Sequence, residues 1–154
     1  MIEIQFKQTA IHPNPELNFL PKKAHENDAA FDLFSSEEIT LLPWETRAIP
    51  TGLQLADIKI TDNVSRFLKI EGRSGLALKR IVPTGGIIDI SYRGEIKCIM
   101  NNNSNQPYTF KIGDKIAQLL IYKIDALPNE VSLSFTETIS ETSRGQKGFG
   151  SSGV

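Results

Sequence analysis

The stretch "EIKCIMNN", residues 95–102, sets Ile96, Cys98 and Met100 at alternate positions, with Glu95, Lys97 and Asn101 at the positions of opposite parity. Side chains of a strand point to opposite faces with period two, so the three apolar residues share one face and the polar ones take the other. The pattern recurs. In "YTFKIGD" Tyr108, Phe110 and Ile112 face one way, and in "VSLSFTET" Val131, Leu133 and Phe135 oppose Ser132, Ser134 and Thr136. Each reading predicts a strand with one wet face. "KIAQLLIYKI", residues 115–124, is a longer apolar run with Gln118 inside it. Long stripes of period 3.6 are absent, and only "GLALKR", residues 75–80, reads as a helical turn. Turn residues at "LPWE", "IPTG", "VPTGG", "NNNSNQP", "IGD" and "LPNE" separate the runs at the spacing of a sandwich or jelly roll. The expected fold is therefore all-β and jelly-roll-like.

With 154 residues and 40% hydrophobic content the chain suits one domain with a single core. The net charge is -1, with acids and bases interspersed, which excludes a footprint for a nucleic-acid duplex and a polybasic membrane patch. The first ten residues, "MIEIQFKQTA", break their apolar residues with Glu3, Gln5 and Lys7, so no signal peptide or spanning segment is expected and the reading is intracellular. The one cysteine, Cys98, has no disulfide partner, and His12 and His25 lack partners at metal-ligand spacing.

Four stretches could carry chemistry. In "EGRSGLALKR", residues 71–80, Arg73 can bind phosphate oxygens bidentately, Ser74 offers a hydroxyl, and Gly75 lets the backbone approach an oxyanion; the same residues also read as a helix start with a solvated arginine. In "TGGIIDISYRGEIK", residues 84–97, the glycine pair suggests a β-hairpin with backbone bare enough for a flat ligand. Asp89 then serves as a general base on water and Tyr92 packs on a sugar, or Asp89 caps a turn and Tyr92 packs across strands. In "KIGDKIAQLLI", residues 111–121, Gln118 either donates to a phosphate or bonds a neighbouring strand. In "NDAAFDLFSSE", residues 27–37, Asp32 is either paired with an arginine or serves the water shell of a metal.

In this order these stretches resemble four of the five motifs of the homotrimeric dUTPase family: "AAFDL", "GRSGLALK", "GGIIDISYRGE" and "GDKIAQLL". The last eleven residues, "RGQKGFGSSGV", hold four of the eleven glycines and resemble the fifth. "LLPWETRAIPTGL" is similar to the family's strand and turn after the first motif. The resemblance implies a jelly roll, a symmetric trimer with sites at subunit interfaces, and Mg²⁺-assisted hydrolysis of dUTP to dUMP and pyrophosphate. That activity limits uracil incorporation into DNA and supplies dUMP for thymidylate synthesis.

By position, the resemblance implies that Arg73, Ser74 and Gly75 hold phosphates and that Gln118 joins them from a neighbouring subunit. The backbone of Gly86, Ile87 and Ile88 would read uracil, Tyr92 would pack on deoxyribose, and Asp89 would orient the attacking water and touch the sugar. Asp32 would support the water shell of a magnesium ion held mainly by the triphosphate. Residues 1–143 would form the core and 144–154 an arm closing over another subunit's site. In that arm Phe149 would stack on uracil beside Gly150, while Arg144, Ser151 and Ser152 would contact phosphates. The chain departs from the family pattern at Ala30, Gly72, Lys147 and Ser152. The related dCTP deaminases place a glutamate five positions beyond the glycine of the third motif; counted from Gly94 that position is Ile99, which has no proton to exchange. A binding or regulatory protein on the same fold is the other alternative.

Overall fold

A computed structural model describes residues 2–15, 17–60, 62, 64–124, 132, 134–136 and 140. Along the chain run β1 (Ile2–Gln8), β2 (Phe31–Phe34), β3 (Ile39–Leu41), β4 (Thr46–Ile60) and β5 (Arg66–Glu71). The helical turn α1 (Ser74–Ala77) follows, and then β6 (Ile81–Thr84), β7 (Ile87–Asp89), β8 (Glu95–Asn102), β9 (Tyr108–Phe110) and β10 (Lys115–Lys123). Two four-stranded antiparallel sheets form, one in the order β1-β4-β8-β6 and the other β2-β10-β5-β7, with β3-β9 as a small third pair. No helix among the described residues is long and apolar enough to cross a membrane.

The alternation in β8 sorts as the sequence dictates, with Ile96, Cys98 and Met100 buried and Lys97 and Ile99 turned out. They meet Leu33, Leu68, Ile70, Ile88 and Leu119 from the other sheet in one core. Each such fully buried side chain contributes about 1.5–3 kcal/mol. Burial pushes the Cys98 thiol up to about 12.

Three expectations are corrected. The turn expected at "IPTG" is a bulge inside the fifteen-residue β4, where register shifts between Pro50 and Gln54 and Gly52 takes a φ of 69°. Pro50 has no N–H for the ladder, and Gly52 accommodates the left-handed backbone, so the strand kinks and continues. The expected hairpin at 84–97 is not a pair of mutually bonded strands, because β7 pairs with β5 and β8 pairs with β4 and β6. The chain instead crosses between sheets at Gly85, whose φ is 61°. Finally, Ser132, Ser134, Phe135 and Thr136 take no place in a strand, and Phe135 is fully exposed. Alternation predicts a strand only where a sheet edge accepts it, and those four residues occupy no ladder position in this chain.

Candidate active site

Strand pairing assembles the first half of the site. Asp32 of β2 lies opposite Gln118 of β10, which lies opposite Glu71 of β5, so the three stand in one row on one sheet face. Antiparallel partners share a face, and this row delivers the chain into Gly72, Arg73 and α1 at the sheet's end. A cleft of about 620 Å³ opens there, lined by Arg73, Ser74, Gly75 and Gln118 among others. The expected phosphate residues are thus brought together, with one correction: Gln118 lines the cleft of the same chain as Arg73, because β10 pairs with β5, rather than reaching it from a neighbouring subunit.

Arg73 takes an extended conformation as α1 begins (φ -100°, ψ 133°) and makes no side-chain cap, so its guanidinium is free for other partners. One of its terminal nitrogens donates to the Lys115 carbonyl at 3.1 Å, and its Nε lies 3.3 Å from Asp32 Oδ1. Asp32 is only 5% exposed, and its Oδ2 lies 2.8 Å from Lys115 Nζ. Of the two alternatives the sequence leaves at Asp32, the structure shows the ion pair. At Gly75 an added Cβ would meet nothing within 4 Å, so the missing side chain leaves space on the cleft side rather than relieving a clash. Gln118 is half-buried, and its amide makes no hydrogen bond among the described residues. Beside it, Lys69 holds the Glu71 carboxyl below the ordinary carboxylate range through a hydrogen bond and its charge, so that acid remains ionised but neutralised.

The second half lies elsewhere. A cleft of about 540 Å³ is lined by Gly85, Ile87, Ile88, Asp89, Tyr92 and Ile99, among others. The Tyr92 N–H donates to the Asp89 carbonyl at 3.0 Å, closing a turn. Arg93 fastens that turn by donating to the carbonyls of Ile90 at 2.7 Å and Tyr92 at 3.0 Å. The Tyr92 hydroxyl donates to the Glu95 carbonyl at 3.2 Å, which lays the ring over Gly94, where any Cβ would collide with it. Its ring is still 47% exposed, and Asp89 is exposed with no side-chain partner among the described residues. A fixed aromatic ring beside an unengaged carboxylate suits a sugar and a water.

Gly86 also has a packing role. Its carbonyl accepts the Ile70 N–H at 2.7 Å, and a Cβ there would press on the Ile70 backbone. This close approach to β5 by itself demands glycine. Ile87 and Ile88 belong to β7, the outer strand of its sheet, so part of their backbone faces away from β5 and can pair with the edge of a base.

The two halves stay apart on one chain. Asp89 pairs with Phe67 at one end of β5, and Gln118 pairs with Glu71 at the other. Four residues of strand span roughly 13 Å, too far for Asp89 and the phosphate residues to converge on one phosphorus. Sequence reasoning missed Lys79 and Lys115, which also line the first cleft; Lys79 Nζ sits 5.3 Å over the Tyr108 ring. The lysine inside "GDKIAQ" was the available signal. Arg144, Phe149, Gly150, Ser151 and Ser152 lie outside the described residues.

No group of three His, Cys, Asp or Glu residues among those described could hold a metal ion by itself. This donor set fits Mg²⁺ only as an ion that takes its ligands mainly from nucleotide phosphates and water, its usual habit in phosphate chemistry.

The dUTPase family model matches residues 18–153. The chain is 43% identical to a deoxyuridine 5'-triphosphate nucleotidohydrolase from Clostridium novyi over 142 residues, covering 90% of this chain and 94% of that one. It is 34% identical to the protein of the same name from Saccharomyces cerevisiae, covering 87% and 86%. Its fold is similar to a mutant dUTPase of Staphylococcus bacteriophage 80alpha solved with dUpNHpp, with TM-score 0.78, 26% identity and 99% of both chains covered. The fold, the two clefts and these matches together establish that the chain belongs to the dUTPase family.

Proposed function

We propose that the chain is a dUTP diphosphatase, hydrolysing dUTP to dUMP and pyrophosphate at sites completed between copies of a homotrimer. The observation that carries the interfacial reading is the division of the site residues between two clefts at opposite ends of β5. One copy would bring the Asp89 cleft and another the Arg73 cleft. Family membership and the names of the relatives support the substrate.

In this reading the outward backbone of β7 bonds uracil at O4 and N3–H. Cytosine would leave those groups mispaired, a kind of discrimination that reaches about 10⁴. Tyr92 packs on the deoxyribose, where a ribose 2'-hydroxyl would crowd the ring. Asp89 accepts a proton from a water aligned on the α-phosphorus, and Arg73, Ser74, Gly75 and Gln118 hold the phosphates in line. Magnesium, bound by those phosphates, would neutralise charge on the leaving pyrophosphate. Residues 144–154 close over the triphosphate, with Phe149 on uracil beside Gly150 and Arg144, Ser151 and Ser152 on phosphates.

The deciding experiment is pyrophosphate release from dUTP, dTTP, dCTP and UTP, with and without Mg²⁺. A strong preference for dUTP is expected, and no preference would defeat the reading. Ile99 lies on the wall of the Asp89 cleft and offers it no acid, so no ammonia release from dCTP is expected. Deletion of residues 144–154 should leave the fold intact and cut turnover sharply.

A further inference from the structure

We infer that Lys115 is a further phosphate-binding residue, and that Asp32 is a positioning residue that holds Lys115 and Arg73 side by side for consecutive phosphoryl groups. The inference rests on the proposed triphosphate site and assigns roles within it. One buried carboxylate takes Arg73 Nε on Oδ1 at 3.3 Å and Lys115 Nζ on Oδ2 at 2.8 Å. The Lys115 carbonyl then receives a terminal nitrogen of Arg73 at 3.1 Å, closing a ring of contacts between the end of β5 and the start of β10.

Both cations line the same cleft while Asp32 stands behind them, absent from the cleft wall. Each keeps donors in reserve. An ammonium has three, of which Asp32 engages one, and the second terminal nitrogen of Arg73 bonds nothing among the described residues. The acid on the cleft wall itself, Asp114, turns its Oδ2 to the Lys111 N–H at 2.8 Å and caps its own turn. Without Asp32 the two cations would repel each other, and long side chains would scatter. With it they form a preset pair of charges, which suits a diphosphate and gives a monophosphate only half its contacts.

Isothermal titration of the full chain with pyrophosphate alone and with dUMP alone, both without Mg²⁺, tests this directly. Lys115→Met should weaken pyrophosphate about tenfold or more and leave dUMP nearly unchanged, and Lys115→Arg should restore most of the loss. Equal pyrophosphate affinity in Lys115→Met and the parent, with both folded by thermal melt, would overturn the role of Lys115. For Asp32→Asn the sign is decisive. Positioning predicts weaker pyrophosphate binding although the cleft becomes more positive, with the Mg²⁺ concentration for half-maximal turnover unchanged. Tighter pyrophosphate binding, or a raised Mg²⁺ requirement with pyrophosphate affinity intact, would overturn it. Lys7→Met, on the exposed part of β1, controls for loss of one charge. If the parent binds pyrophosphate yet fails to hydrolyse dUTP, the proposed activity fails while these titrations still report on the charge pair.

Discussion

Gly86→Ala should destabilise the protein by about 2–6 kcal/mol. A Cβ at this position would lie 3.2 Å from the Ile70 carbonyl carbon and 3.3 Å from Ile70 Cβ, and closer still to the carbonyl oxygen. Backbone cannot swing aside as a flexible side chain can, so β7 would have to lift from β5. That movement breaks the 2.7 Å bond from the Ile70 N–H to the Gly86 carbonyl. Ile70 is 5% exposed, so no water replaces the lost partner, and an unmade buried bond costs about 1–3 kcal/mol. Forcing a methyl into packed backbone adds about 1–3 kcal/mol. Urea unfolding at fixed protein concentration measures the sum. Gly75→Ala is the matched control, because its Cβ meets nothing within 4 Å and alanine gains about 0.5–1 kcal/mol over glycine inside a helix. It should be at least as stable as the parent while binding pyrophosphate more weakly. A Gly86→Ala protein within about 0.5 kcal/mol of the parent would refute the packing argument.

Asp89→Asn should retain nucleotide binding and lose about 10²–10⁴ in turnover, measured by pyrophosphate release; parental rates would remove Asp89 from its role. Arg66 grips Asp62 through both carboxylate oxygens, at 2.7 and 2.6 Å, and lowers its pKa from the ordinary 3.8 to about 2. A depressed carboxylate pKa gives stability that is full above the unfolded value and lost as pH falls through the folded one. The melting temperature of Asp62→Asn should therefore vary less than the parent's between about pH 4 and pH 2, and parallel curves would contradict this. Cys98 is fully buried with its thiol pushed up to about 12, so at pH 8 a thiol reagent should label it only as fast as the core opens. Labelling at the rate of the urea-unfolded chain would show the core to be open.

Ile96, Cys98 and Met100 were legible because a half-buried strand must alternate, a period that a helix does not have. Pro50 and Gly52 misled for a physical reason: the residues that end strands are also those that kink one, and only the ladder on either side tells the cases apart. Gly86 was identified as special, but its partner in space was Ile70, sixteen residues back, which local pattern cannot reveal. The same limit hid the distance between Asp89 and Gln118, since register along β5 sets it rather than sequence spacing. Lys115 went unread because a lone lysine at a strand's start resembles any solvated cation until a buried acid is found beside it. Of the strand expected at 131–136, the described residues Ser132, Ser134, Phe135 and Thr136 meet no sheet edge in this chain, while Val131 and Leu133 lie outside the described residues.

The separation of the two clefts along β5 also has a genetic consequence under the proposed interfacial site. A chain defective at Gln118 keeps a sound Asp89 cleft, and a chain defective at Asp89 keeps a sound phosphate cleft. Neither variant would work alone, yet co-assembled they would place intact halves opposite one another in some sites and doubly damaged halves in others. Two null alleles could then complement within one gene, whereas two defects carried on the same chain could not.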